Sequence, residues 1–181
     1  MKIIFLDIDG VLNIPWQATT KQDRYGDIFH PDFVRNLAIL IDATDAKIVM
    51  TSTWKDAGLQ TMQNMWNDRE LPGELIDITP SAVYAYNFIT NNGGGIVDFD
   101  DIRRGDEIDV WITKHLDKIN IESFVIIDDI NGYYDYQQEV FVQTANNFDV
   151  NIHRDNIRGF GLTEGCVERA IAILDTDEYI N

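Results

Sequence analysis

Two hydrophobic rhythms alternate along this chain. Short, mostly apolar runs of three to five residues read as buried strands. They fall at Ile3 to Leu6, Lys47 to Thr51, Leu75 to Ile78, Ser123 to Ile127 and Val140 to Val142. Between them, apolar residues recur with the 3.6-residue period of a helix. One stripe starts after Pro31 and carries Phe33, Val34, Leu37, Leu40 and Ile41; a second carries Leu59, Met62 and Trp66 and stops at Leu71-Pro-Gly73. A third runs through Ile108, Trp111, Ile112, Leu116 and Ile119. The last, with Val167, Ala170, Ile171 and Leu174, follows Thr163, a good capping residue. Strands alternating with helices predict an α/β fold, a Rossmann-like three-layer sandwich with a mostly parallel sheet covered on both faces. No repeat and no Pro/Gly/Ser-rich linker divides the pattern, so residues 1–181 read as one domain.

Two segments break the rhythm. Ile14 to His30 is a polar loop dotted with aromatic residues. Ala82 to Phe99 places Val83, Tyr84, Tyr86 and Phe88 before Asn91-Asn-Gly-Gly-Gly95, and Ile96, Val97 and Phe99 after it, which predicts a β-hairpin with a glycine turn. Both follow strand ends, so both are expected to act as small lids rather than as a separate cap domain.

Charge narrows the range of partners. Thirty-one acidic residues against fourteen basic ones leave a net charge of −17. Such a surface repels an extended nucleic-acid track or an anionic membrane, and it attracts divalent cations. A small phosphorylated substrate remains compatible, because a local metal inverts the field in one pocket. The single cysteine, Cys166, allows no internal disulfide, and its place in the last helical stripe predicts a small apolar packing role. The first apolar run is cut off by Asp7, unlike a signal peptide, and nothing approaches the ~20 apolar residues of a membrane span. The expectation is a cytoplasmic protein.

The candidate chemistry sits where strands end. Asp7 and Asp9 close the first strand; Thr51, Ser52 and Thr53 close the second; Arg103 and Arg104 open the third helix; Asp128 and Asp129 close the fourth strand. In a parallel sheet these ends share one edge, so the groups can converge. Together they suit phosphoryl transfer. One carboxylate attacks phosphorus, and a second, two residues on, protonates the leaving alcohol and later activates water. A hydroxyl and a cation hold the phosphate oxygens. Mg²⁺, which favours one or two carboxylates plus phosphate and water, offsets the repulsion among acids, with Asp7 and Asp128 as its carboxylates. An EF-hand start is a poorer reading, since Val-Leu-Asn follows Gly10 without the further ligands of that loop. The histidines carry less. His115 lies on an apolar helix face, His30 precedes a helix start and His153 sits in a polar loop, and no Cys/His spacing suggests zinc. Trp54 can wall a pocket or pack in the core, and Tyr133, Tyr134 and Tyr136 can be structural or stack on substrate.

Phe5-Leu-Asp-Ile-Asp-Gly-Val-Leu-Asn13 resembles motif I of the haloacid-dehalogenase-like (HAD) hydrolases, DxDG followed by an apolar residue. Three further motifs of that family recur in order. Ser52, in Val49-Met-Thr-Ser-Thr-Trp54, resembles the phosphate-binding hydroxyl of motif II, with Thr51 the alternative one position away. Arg104 resembles the basic residue of motif III, usually lysine, with Arg103 and Lys114 as alternatives. Asp128-Asp129 resembles the acidic motif IV. Together with Asn13, Arg104-Gly-Asp-Glu-Ile108 and Gly161-Leu-Thr163, these stretches resemble a small-cap branch that includes phosphatase-like domains of composite RNA-repair proteins. The resemblance implies that Asp7 is the nucleophile and a Mg²⁺ ligand. It implies that Asp9 is the general acid/base and lends its backbone carbonyl to the metal, that Asp128 is the third ligand, and that Asp129 binds directly or through water. It implies a Mg²⁺-dependent phosphomonoester hydrolase acting through an aspartyl-phosphate on a phosphorylated small molecule. A nucleic-acid or nucleotide end phosphatase is the alternative. A non-catalytic phosphate-binding domain is a further one, disfavoured because both Asp7 and Asp9 are present.

Overall fold

A computed structural model describes residues 1–14, 21–93, 98–144 and 160–176. Twelve regular elements appear among them. They are β1 (Lys2–Leu6), β2 (Gln22–Asp23), β3 (Gly26–Asp27), α1 (Pro31–Thr44), β4 (Lys47–Met50), α2 (Leu59–Asp68), β5 (Leu75–Ile78), α3 (Ala82–Asn91), α4 (Arg104–His115), β6 (Ser123–Asp128), β7 (Phe141–Gln143) and α5 (Glu164–Leu174). Short 3₁₀ turns fill Thr53–Ala57, Phe99–Asp101 and Asp135–Val140.

The main sheet has five parallel strands in the order β5–β4–β1–β6–β7, with helices on both faces. β1 lies in the middle. From it the chain builds outward through β4 and β5, then returns to lay β6 and β7 on the other side. The order therefore reverses between β1 and β6, and a crevice opens beyond their carboxyl ends. Ile3, Ile4, Phe5 and Leu6 are wholly buried because a central parallel strand meets helices on both faces. Trp111 of α4 packs edge-on against Phe5, with ring centroids 5.4 Å apart. Helices α1 and α5 pack together, and Val167, Ala170 and Leu174 of α5 join the same core as β1.

Helix starts follow their caps. His30 Nδ1 accepts the Asp32 N–H at 3.2 Å at the head of α1, and Thr163 Oγ1 accepts the Cys166 N–H at 3.3 Å at the head of α5. Cys166 is partly buried against the core, and His115 stacks on Trp111 at 4.2 Å. His153 lies outside the described residues. Leu116 departs from its expected stripe: α4 ends at His115 and the Leu116 side chain is about half exposed. No helix among the described residues is long and apolar enough to cross a membrane.

The insert after β5 corrects the sequence expectation. Residues 82–91 form the helix α3, not the first arm of a hairpin; residues 94–97 of the expected glycine turn lie outside the described residues. The alternation of Tyr84, Tyr86 and Phe88 is not a burial pattern, since Tyr84 and Val83 both face solvent. Ala85 is the buried position of this helix, which packs along α4. Ser81 starts it, with Oγ accepting the Tyr84 N–H at 3.3 Å, so a polar cap decided what the apolar rhythm did not. In the insert after β1, β2 and β3 pair antiparallel as a short hairpin, and residues 15–20 lie outside the described residues.

The cap supplies a test of the helical assignment. Ser81→Ala is expected to lower unfolding stability by about 1 kcal/mol and Ser81→Gly by only a few tenths, read from urea midpoints. Equal midpoints for all three proteins would remove the helix cap.

Candidate active site

The sheet register builds the site. Leu6 pairs with Met50 on one side and with Ile127 on the other. The next residue of each strand is thus Thr51, Asp7 and Asp128, three neighbours in a row across the sheet edge. Two ladder bonds continue past the strands and hold this row: the Thr51 N–H reaches Leu6 O at 2.9 Å and the Asp7 N–H reaches Ile127 O at 3.0 Å. Asp7 shares the parity of Ile3 and Phe5, so it faces the side of the sheet where α4 lies.

From that side Arg104, the first residue of α4, reaches down. Its Nη1 donates to Asp7 Oδ1 at 2.7 Å and to Asp128 Oδ2 at 2.6 Å. Burial works against the guanidinium charge, but Asp7 and Asp128 more than offset it and hold the group above its ordinary pKa. The alternatives at this position are engaged elsewhere. Arg103 stacks over the Tyr134 ring at 4.9 Å, and Lys114 Nζ sits over the Tyr84 ring at 4.5 Å.

Asp129 completes the acidic group. One oxygen each of Asp7, Asp128 and Asp129 lies within 4.8 Å of the others, and all three residues are buried. Asp129 packs over Gly10, which turns the chain after motif I with φ +79°; a Cβ there would come within 2.4 Å of Asp129 Oδ2. Only glycine fits both the backbone and the space. The cost of gathering the acids falls on Asp7. Burial, then the charges of Asp128 and Asp129, outweigh Arg104 and push its carboxyl up to about 7.

Asp9 stands apart from this cluster. The turn at Ile8, whose carbonyl accepts the Val11, Leu12 and Asn13 N–H groups, carries Asp9 back toward Asn13. Asp9 Oδ1 accepts from Asn13 Nδ2 at 2.7 Å, and Oδ2 accepts from Trp54 Nε1 at 3.0 Å. Its carboxylate is therefore not one of the three that come together, and only its backbone carbonyl remains as the expected metal contact. Thr51 and Ser52 are both buried. Ser52 Oγ accepts the Trp54 N–H at 3.4 Å, whereas the Thr51 hydroxyl is buried with no hydrogen-bond partner. A buried hydroxyl without a partner is costly unless a ligand oxygen meets it.

Other contributors have no assigned site role in the sequence, where Tyr133 is open between a structural part and stacking on substrate. Tyr133 is buried, and its hydroxyl donates to Asp128 Oδ2 at 2.6 Å; burial, then Asp128, holds that phenol above its ordinary pKa. Its loop neighbours are structural: Tyr134 OH donates to Asp106 at 2.9 Å and Tyr136 OH to Asp109, which ties the loop to α4. Lys55 and Glu107 form a buried ion pair, and Lys55 Nζ also donates to Thr79 Oγ1 at 2.9 Å and Pro80 O at 3.2 Å. Burial raises the Glu107 carboxyl and Lys55 opposes the rise. This pair joins the turn after β4 to the first turns of α4, below Arg104. A signal existed: Glu107 is i+3 from Arg104 and precedes Ile108, on the stripe that continues to Trp111.

The donor set fits a hard divalent cation. Three buried carboxylates offer only oxygen, the ligand type Mg²⁺ prefers, and the raised Asp7 carboxyl marks negative charge that Arg104 alone does not balance.

A family model described as "HAD domain in Swiss Army Knife RNA repair proteins" matches residues 3–151, well over half of the chain. No curated protein and no solved structure matches. The chain belongs to this HAD family.

The electrostatics predict a pH-dependent stability with an unusual sign. The unfolded Asp7 titrates near 3.8 and the folded one near 7, so the folded state holds a proton the unfolded state has lost. Stability from this group is full below the lower value and is lost as pH rises toward the upper one. Without divalent cations, the melting temperature is expected to fall between pH 4 and 7. Mg²⁺ should raise it more at pH 8 than at pH 5, and Asp7→Asn should be more stable than the parent above pH 7. Thermal melts across pH check this; a parent that gains stability over that range, once its other titrations are matched by Asp7→Asn, contradicts it.

Proposed function

We propose that this HAD-family domain is a Mg²⁺-dependent phosphomonoester hydrolase whose nucleophile is Asp7. The observation that carries the reading is the meeting of Asp7, Asp128 and Asp129 under the Arg104 guanidinium at the point where strand order reverses. Family membership supports a phosphatase-type hydrolase; the residue roles are our assignment.

Each group has one task. Arg104 and the Thr51 or Ser52 hydroxyl bind the phosphate oxygens, and the unpartnered Thr51 hydroxyl favours Thr51. The free oxygen of Asp7 attacks phosphorus. The bond to the ester oxygen breaks as Asp9 gives that oxygen a proton, and the alcohol leaves an acyl-phosphate on Asp7. Asp9, now a carboxylate, takes a proton from water as the water oxygen attacks phosphorus. The Asp7–phosphorus bond breaks, inorganic phosphate departs and Asp9 is protonated again. Arg104 keeps Asp7 and Asp128 fixed throughout, so little reorganisation accompanies the charge transfer. Mg²⁺ would be held by Asp7, Asp128, Asp129 and the Asp9 carbonyl, and would supply the positive charge that lets a phosphate dianion approach buried acids.

The description of the matching family favours a second, narrower reading, in which the ester is a phosphorylated nucleic-acid end or a nucleotide. A net charge of −17 is compatible with a terminus entering the pocket and not with a long bound track.

With Mg²⁺ present, the protein is expected to turn over p-nitrophenyl phosphate. Asp7→Asn should lose at least about 10³-fold in kcat, and Asp9→Asn about 10²–10⁴-fold, while both keep a cooperative melt. Full turnover by Asp7→Asn, or with the metal chelated, rejects the mechanism. Competing a 3′-phosphorylated oligonucleotide and nucleotides against sugar phosphates separates the two substrate classes.

A further inference from the structure

The geometry points to Trp54 as the residue that aims the Asp9 acid/base, with the β2–β3 hairpin and Arg69 as the frame that holds Trp54 in place. This rests on the phosphatase reading above and deepens it.

An indole nitrogen is a donor only, so its direction reveals which acceptor it serves. Trp54 Nε1 donates to Asp9 Oδ2 at 3.0 Å while Asn13 Nδ2 holds Oδ1 at 2.7 Å. With one donor a carboxylate swings about its last torsion; with donors on both oxygens its plane is fixed. Each carboxylate oxygen has two lone pairs, so one pair stays open to receive and release the catalytic proton.

The indole is itself clamped. Phe29 packs on it with ring centroids 5.6 Å apart. On the hairpin, Gly26 lies at φ +114°, and a Cβ there would come within 3.3 Å of the indole carbon Cη2. Arg69, just past the end of α2, pins this arrangement from behind. Its Nε and Nη2 donate to the two oxygens of Asp23 at 2.9 and 2.8 Å, and Nη2 also reaches Gly26 O at 3.4 Å. The guanidinium lies 4.6 Å from the Phe29 ring centre and 5.7 Å from that of Trp54, and its side chain is only 8% exposed. A bidentate ion pair stacked on two aromatic faces is a stiff support. Through Gly26 and Arg69 the β2–β3 hairpin thus reaches the chemistry by fixing a ring.

The test reads leaving-group dependence in the full-length protein. An alkyl phosphate needs its departing oxygen protonated, whereas p-nitrophenolate leaves without help. The ratio kcat/KM covers steps only up to alcohol release, so the later attack by water does not enter. Trp54→Phe keeps the ring and removes the N–H. It is expected to lower kcat/KM for glycerol phosphate at least about tenfold, with p-nitrophenyl phosphate changing less than about threefold. Arg69→Lys keeps the charge and loses the fork, and should give the same bias at smaller size; it carries the test alone if Trp54→Phe does not fold. An equal loss on both esters assigns Trp54 a packing role and overturns the inference, as does no loss on either. A parent protein that hydrolyses neither ester with Mg²⁺ removes the phosphatase reading first, and this inference with it.

Discussion

Negative charge gathered in a place from which water is largely excluded governs this molecule. Asp7, Asp128 and Asp129 are buried with oxygens close enough to repel strongly, and the Arg104 guanidinium is set against Asp7 and Asp128. At such separations each pair in a partly desolvated setting interacts with several kcal/mol. The fold does not relieve that repulsion by spreading the acids apart. It keeps them in line through the backbone ladder of β1 and β6, whose register leaves adjacent strand ends no freedom to diverge. The strain appears as a carboxyl on Asp7 that resists ionisation, the same property that makes the cluster receptive to a hard cation.

Much of the surrounding structure serves that constraint. Gly10 gives Asp129 room to sit against the backbone. Tyr133 satisfies an oxygen of Asp128 that would otherwise face Arg104 alone. The buried Lys55–Glu107 pair ties the first turns of α4 to the turn after β4 and the end of β5, so the helix that carries Arg104 is anchored to the sheet edge it serves. A buried ion pair is a poor source of net stability, since desolvation consumes most of the attraction. Its value here is the fixed distance between two elements that approach the site from different parts of the chain. Trp54 and Arg69 do for Asp9 what Lys55 and Glu107 do for Arg104.

Legibility in the sequence followed how local each signal was. The strands of the main sheet and four of the five helices could be read from period and breakers, because burial on two faces and burial on one leave different spacings. α3 could not: Tyr84, Tyr86 and Phe88 alternate as a half-buried strand would, yet the helix Ala82–Asn91 buries only Ala85 and leaves Tyr84 in solvent. Where few residues are buried, hydrophobic period reports little, and the Ser81 cap was the better guide. Among site residues, Asp7, Asp128 and Asp129 stood out because their charges border apolar runs, and Arg104 because it opens a helix and resembles the basic residue of motif III. Tyr133, Trp54, Lys55 and Arg69 did not, because their residue types are as much at home in a core or on a surface.

The sequence by itself determined the parallel α/β architecture, the strand ends that carry acids and the order in which the four motifs appear, since each is written in contiguous residues. Tertiary structure alone decided which cation faces the acids. Arg103 and Arg104 are neighbours in the chain, but the start of α4 turns one onto the Tyr134 ring and the other into Asp7 and Asp128. It also decided that the Thr51 hydroxyl is the one left without a partner, and that Asp9 is held by Asn13 and Trp54 rather than drawn into the cluster. The physical reason is common to all three: a side chain's partner depends on its direction and on the distance across the fold, and neither quantity exists until separate strands and helices have been brought together.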